Sequence, residues 1–356
     1  MINKMYIRGT GCVSPQQTAD GSGFLEEVRT YQTSRLPVID PDYKQWIDIK
    51  LIRRMSRVIK MGVAASQLSL QEAGIQSPTA IITGTAYGCL ADTGVFLNKM
   101  VAQEEQMLTP TAFIQSTHNT VAGQIALMLS CHGYNNTFVH RGFSFENALL
   151  DTMLTLQENP TAQILTGGVD EITDQSHAIL ERFGLYKSSN IDTTNILHSE
   201  TKGTINGEGA AFFVLSGEKG DNAVATIDAM ATLYKPTDVY ERMNFCADFL
   251  SKNNIEPTAV DVILTGRNGD FSSDLSYDHI ESSYFPGATI ACFKHLCGEY
   301  PTASSFGVYA AVQMLKAGEV PPAMLFGEAK HKQVKKVLLY NHHNNTHHSF
   351  ILLSVC

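Results

Sequence analysis

Short apolar runs bounded by glycine or polar residues alternate along this chain with longer stretches in which apolar residues recur at helical spacing. Met5–Gly9, Ala80–Thr83, Thr137–His140 and Gln163–Thr166 read as strands, the second closed by Gly84 and the last by Gly167 and Gly168. Leu51–Ala73 places Met55, Val58, Ile59, Ala65 and Leu68 at helical spacing, and Gly74 supplies a stop. Thr111–Leu129 contains a helix, and Phe145–Gln157 is the helix that follows the strand Thr137–His140. The second half repeats the plan. Ala223–Tyr234 is strand-like, Val239–Ser251 helical, Asp261–Thr265 and Thr289–Phe293 are strands, Ser304–Lys316 is helical, and Val337–Tyr340 with Ser349–Ser354 form a closing strand pair. Alternation of this kind predicts an α/β architecture.

The two halves echo each other. One ends on the apolar strand Ala210–Ser216, the other on Ser349–Ser354, and the polar, glycine-containing Gly217–Asn222 joins them. The expected division is 1–218 and 219–356. Leu185–Ile205 is polar and has no clear period, so it reads as a surface excursion.

Composition narrows the class. The chain has 356 residues, 44% hydrophobic, which is ample for a sizeable core. A net charge of -9 with no run of Lys or Arg argues against a nucleic-acid partner. No apolar stretch approaches the length of a membrane span, and Met1–Cys12 lacks the apolar core of a signal peptide. The seven cysteines are odd in number and irregularly spaced, which fits free thiols in a reducing, cytoplasmic setting.

From Thr120 to Glu171 the pattern becomes specific: Val121-Ala-Gly-Gln-Ile-Ala126, then His132 and Gly133, the strand ending at His140, an elbow, a helix, and Ile164-Leu-Thr-Gly-Gly-Val-Asp-Glu171. This run resembles the β-ketoacyl synthase family, which has the thiolase fold. Arg53-Arg-Met55 and Gly207-Glu-Gly-Ala210 are similar to further landmarks of that family, and the resemblance extends over nearly the whole chain. It implies a duplicated, five-layered α/β/α/β/α arrangement.

The resemblance also implies a site that this sequence lacks. The family places a cysteine at the elbow, where a helix N-terminus stabilises a thiolate and neighbouring N–H groups form an oxyanion hole. Here that position is Gly142, within His140-Arg-Gly-Phe-Ser144. The first family histidine maps to Gly266, or to Asn268 under a two-residue shift. The second lies in a Lys-x-x-x-Gly-His pattern that reads Lys294-His-Leu-Cys-Gly-Glu299 here, so Glu299 replaces it. The flexible gating loop of the family corresponds to Asn341–His348, which reads as a stiffer, more polar loop.

Other residues invite chemistry and have plainer explanations. His140, Phe143, Ser144, Lys294 and Cys297 are candidates to line the pocket. Ser144 as a substitute nucleophile, Cys297 as a relocated one, and His140 with Glu299 as an acid/base pair are each outweighed by ordinary packing or local hydrogen bonding. Glu146 suits the first turn of its helix and is placed to pair with Arg141. The histidines at 342, 343, 347 and 348 lack zinc-site spacing, and no metal or cofactor is expected.

The resemblance therefore implies a subunit like a chain length factor: a ketosynthase-fold protein without the cysteine that pairs with an active ketosynthase and shapes its acyl tunnel. The elbow and Phe113–His118 are similar to members from aryl polyene and flexirubin-type pathways. Thr111, Phe113, Thr137, Phe138 and Val139 map to the dimer face and tunnel, and acyl carrier protein is a further expected partner. An active condensing enzyme or acyltransferase with a rearranged site, and a stand-alone or homodimeric acyl or carrier-protein binding module, are the alternatives.

Overall fold

The apolar runs become β1 (Met5–Val13), β2 (Arg35–Leu36), β3 (Ala80–Gly84), β4 (Asn135–Phe138), β5 (Ile164–Asp170), β6 (Asn206–Gly207) and β7 (Gly209–Ser216) in the first half. The second half supplies β8 (Ala225–Tyr234), β9 (Val262–Thr265), β10 (Thr289–Cys292), β11 (Lys336–His343) and β12 (His347–Val355). The computed structural model describes residues 4–108, 110–187 and 191–356.

Ten strands form one sheet in the order β10-β9-β11-β12-β8-β1-β7-β5-β3-β4, while β2 pairs with β6. The order carries a duplication. Counting the large-sheet strands within each half, both read third, second, fourth, fifth, first from the outer edge inward. The directions repeat too: β3 is parallel to β4 and β5, and β9 to β10 and β11, whereas β7 and β12 run antiparallel to both of their neighbours. β1 and β8 join the halves antiparallel, from Met5 opposite Ile227 to Ile7 opposite Ala225.

Three large apolar cores hold five layers together, the central one on both sides of the middle helices. The helices Arg57–Ala73 and Thr120–Leu129 cover the outer face of the first half. Val239–Lys252 and Phe271–Tyr284 cover that of the second. Between the halves lie Ser144–Glu158 and Ala303–Ala317, packed against strands of both. A helix covered on two sides must be apolar on more than one stripe. Ala303–Ala317 accordingly buries Phe306, Val308, Ala310, Ala311, Val312, Met314 and Leu315. Each large apolar side chain there contributes about 1.5–3 kcal/mol.

Several boundaries differ from expectation. Leu51–Ala73 is two helices, Ile49–Ile52 and Arg57–Ala73, because Ser56 adopts extended backbone at the start of the second. Thr111–Leu129 breaks into Pro110–Gln115 and Thr120–Leu129, where the hydroxyls of Thr117 and Thr120 both donate to the carbonyl of Ile114. The strand placed at Thr137–His140 begins and ends two residues earlier, because the chain turns into the elbow after Phe138. Asn341–His348 is not a loop: β11 and β12 continue through it and leave only Asn344–Thr346 as the turn. Nor is Leu185–Ile205 purely a surface excursion. Ile196 and Ile205 bury against Leu36. The buried Lys187 ammonium donates to Ser199, Thr201 and the Gly269 carbonyl. Residues 188–190 of that segment lie outside the described residues.

Candidate functional site

The elbow between β4 and the helix Ser144–Glu158 is a single 3₁₀ turn, Arg141–Phe143. Its left-handed residue is Arg141, at φ 49°, and Gly142 itself is not left-handed. Gly142 answers a different requirement. A Cβ at this buried position would lie 2.6 Å from the Cβ of His343 and 3.0 Å from the Cβ and Cγ of His347. The last hairpin occupies the space a nucleophilic side chain would need.

Strand periodicity brings those histidines there. β11 and β12 pair in register, His343 opposite His347 and Asn341 opposite Ser349, and successive side chains alternate between faces. The odd-numbered series Val337, Leu339, Ile351 and Leu353 packs into the central core, so Asn341, His343, His347 and Ser349 point the same way, toward the elbow. The even-numbered series faces outward: His342 stacks on Tyr277 at 4.7 Å, and His348 Nδ1 lies 3.0 Å from the Tyr340 hydroxyl. Burial holds His347 and His348 neutral, pushed down to about 4, and pushes His342 further.

Glu299 is the hub. Its Oε2 accepts from Lys294 Nζ at 2.6 Å and from Asn268 Nδ2 at 2.7 Å, and its Oε1 lies 2.8 Å from His343 Nδ1. Burial alone would raise its carboxyl, but the Lys294 charge and the His343 contact hold it at about 2. Lys294 also donates to the His342 carbonyl at 2.8 Å. Asn268 therefore brings a side chain into this network, whereas a Cβ at Gly266 would strike Asn341 Oδ1 at 2.3 Å. Three segments far apart in sequence are joined, carrying Asn268, Lys294 with Glu299, and His343, and both Glu299 oxygens are held by other protein groups.

The other candidates sit elsewhere. Ser144 Oγ accepts from the His140 N–H and donates to the Arg141 carbonyl. His140 accepts from Asn147 at Nδ1 and faces His347, so it forms no pair with Glu299. Phe143 packs on His347 at 4.7 Å. Cys297 is fully buried, and burial drives its thiol far above the ordinary value, which removes the thiolate that nucleophilic attack requires. None of His140, Phe143, Ser144, Lys294 and Cys297 lines the cavity beside the site. That cavity lies between Tyr87, Asp170, Glu171, Tyr186, Glu299 and His343, and at about 40 Å³ it has room for a water or two rather than an acyl chain.

One carboxylate, Glu146, was given another partner in the sequence, and two more, Asp170 and Glu208, were not singled out there. Glu146 does not pair with Arg141. It is buried, with Oε1 accepting from Ser349 and Oε2 without a partner among the described residues, and burial raises its carboxyl. Asp170 accepts from Thr85, Ala86 and Thr302, tying the end of β5 to the start of Ala303–Ala317. Glu208 accepts from the N–H groups of Val38 and Ile172 and pairs with Arg57. A signal existed for the last two: Asp170 ends the glycine-containing apolar run Ile164–Val169, and Glu208 stands between two glycines just before the apolar run that starts at Ala210.

At the outer edge of the sheet, β4 pairs only with β3 among the described residues. Thr137 and Phe138 are half-buried in it, and Val139 beyond its end is exposed. Thr111 and the exposed Phe113 lie on Pro110–Gln115, where the Phe113 ring packs on Phe96 at 5.4 Å. Leu127, Tyr134, Leu150 and Leu154 are exposed on elements adjoining β4. Among the described residues no helix is long and apolar enough to cross a membrane, and no group of three or more His, Cys, Asp or Glu is arranged to hold a metal.

Comparison with known proteins agrees with this geometry. Residues 39–220 match the family described as Beta-ketoacyl synthase, N-terminal domain. No curated protein matches the sequence. Among solved structures, the ishigamide ketosynthase/chain length factor aligns over 100% of both chains at 17% identity and a TM-score of 0.79. A β-ketoacyl synthase from Burkholderia phymatum aligns over 99% of this chain and 100% of its own at 16% identity and 0.78. The complex of a ketosynthase with its chain length factor from Xenorhabdus doucetiae aligns over 99% of this chain and 98% of the other at 13% identity and 0.77. At these identities the likeness is one of fold.

Proposed function

Because the chain belongs to the β-ketoacyl synthase family and has the thiolase-like fold, we propose that it is the non-catalytic member of a synthase pair, acting as a chain length factor does. One observation carries this reading: His343 and His347 fill the space at Gly142 where the family's nucleophile would stand. The locked state of Glu299 supports it. Its charge is neutralised by Lys294 and directed to His343, which leaves nothing free to polarise a malonyl carbonyl.

The partner in this reading is an active ketosynthase, docked along the open edge of β4 with Thr111, Phe113 and Val139 at the seam. Exposed apolar side chains beside an unpaired strand edge suit such pairing. The product belongs to fatty acid or polyene chemistry, of aryl polyene or flexirubin type, with an acyl carrier protein delivering the chain. A cytoplasmic setting accords with seven free cysteines.

The test is reconstitution. The chain alone, exposed to acyl thioester, should gain no mass by intact-protein mass spectrometry, and a co-expressed ketosynthase with an intact cysteine should co-purify with it. A stoichiometric adduct on Ser144 or Cys297 would overturn the reading in favour of a rearranged enzyme. A chain that stays alone beside every such ketosynthase would leave the isolated binding module.

A further inference from the structure

A second cavity lies away from the elbow. It is a cleft of about 500 Å³ between Val28–Thr30, Thr193–His198 and Ala323–Gly327, floored by His295 and Leu296. That volume is in the range of small-molecule sites. The short helix Lys294–Cys297 separates the two places: Lys294 turns into the Glu299 network, and the next residue, His295, lies under the cleft.

The lining has a definite chemistry. Leu197, Leu296, Leu325 and Phe326 give it an apolar body, and His198 stacks near-parallel on Phe326 at 6.1 Å. No Asp or Glu lines it, although the chain carries a net charge of -9. Arg29 stands exposed at the rim over the Tyr31 ring, with no carboxylate partner among the described residues. Gln16 holds this arrangement together. Its amide donates to the carbonyls of Arg29 and Leu296, and its Oε1 accepts from the Arg29 N–H. His295 is 92% buried, and its Nε2–H donates to the Ala323 carbonyl, which fixes the floor of the cleft.

We propose that this cleft binds an amphipathic carboxylate with a flat apolar body, its anionic end on Arg29 and its body against Leu296 and Phe326. Charge selects the rim, and the apolar lining beside the Phe326–His198 stack selects the body. The site is independent of the pairing proposed above.

The test uses the full chain and isothermal titration calorimetry with two probes: phenylpropionate and phenylpropionamide, which lacks the charge. The first should bind more tightly than about 1 mM, and the second about tenfold more weakly, the scale of one hydrogen bond to a charged group. Arg29→Gln should remove the preference for carboxylate over amide and leave the circular dichroism spectrum unchanged. Ala323→Phe should fill the cleft and abolish binding. If that variant does not fold, Thr194→Trp at the exposed rim serves the same purpose. Equal affinity for acid and amide, unaltered binding in Arg29→Gln together with a filled cleft, or no saturable binding of any probe would each overturn the proposal.

Discussion

At the residue scale, position 142 shows how a glycine is fixed by space rather than by backbone freedom. Gly142→Cys forces its Cβ into His343 and His347, and overpacking of this kind costs about 1–3 kcal/mol. Urea denaturation should show that loss, and the variant should still take no acyl group from a thioester. Glu299 answers to charge instead. Glu299→Gln leaves the Lys294 ammonium buried without its partner, a loss of about 3–5 kcal/mol. Lys294→Met combined with Glu299→Leu should recover most of it, because the pair is then replaced by apolar volume. If the single and double variants are equally unstable, the ion pair is not what Glu299 contributes.

At the element scale, the closing hairpin and the edge strand do different work. His347 and His348 are neutral in the fold, with ionisation pushed from the ordinary 6.5 to about 4. Between those values the unfolded chain binds more protons than the folded one, so this contribution to stability is full above about 6.5 and is lost as pH falls toward 4. Proton NMR of the ring signals should show two imidazoles titrating near 4, and replacing both with Phe should flatten the fall in stability across that window. Glu171, raised by burial to about 7, acts in the opposite sense and weakens the fold as pH rises through that value. Comparing the variant with the parent protein isolates the hairpin. In β4, the Thr137 N–H donates to the Asn136 side chain and not to β3. Thr137→Pro should therefore leave the melting temperature of the isolated chain within a few degrees and abolish co-purification with a ketosynthase. Intact pairing in this variant would remove β4 from the interface. Phe113→Ala separates two roles on the neighbouring helix: longer products at equal complex stability mark a tunnel residue, and loss of the complex marks an anchor.

At the scale of the whole molecule, the repeated strand order shows what patterning carries. Short apolar runs alternating with helical stretches were enough to read an α/β duplication, because burial of each element depends mostly on its own period. The expectation that Gly142, Gly266 or Asn268, and Glu299 stand at the family's catalytic positions came from residue order alone. The meaning of Asn341–His348 did not. Its Asn-Asn pair, both at positive φ, is a hairpin-turn signal that the polar composition obscured. Glu146 read as an exposed first-turn acid because nothing local reveals that its helix lies between two sheets. The sequence by itself determined the class of fold and which residues stand where the resemblance puts the family's catalytic groups, for both depend on residue type in order along the chain. Only the tertiary structure decided what surrounds Gly142. The contacts of Gly142 with His343 and His347, and of Asn268 with Glu299, join residues far apart in sequence, and their approach depends on how the sheets fold against the central helices.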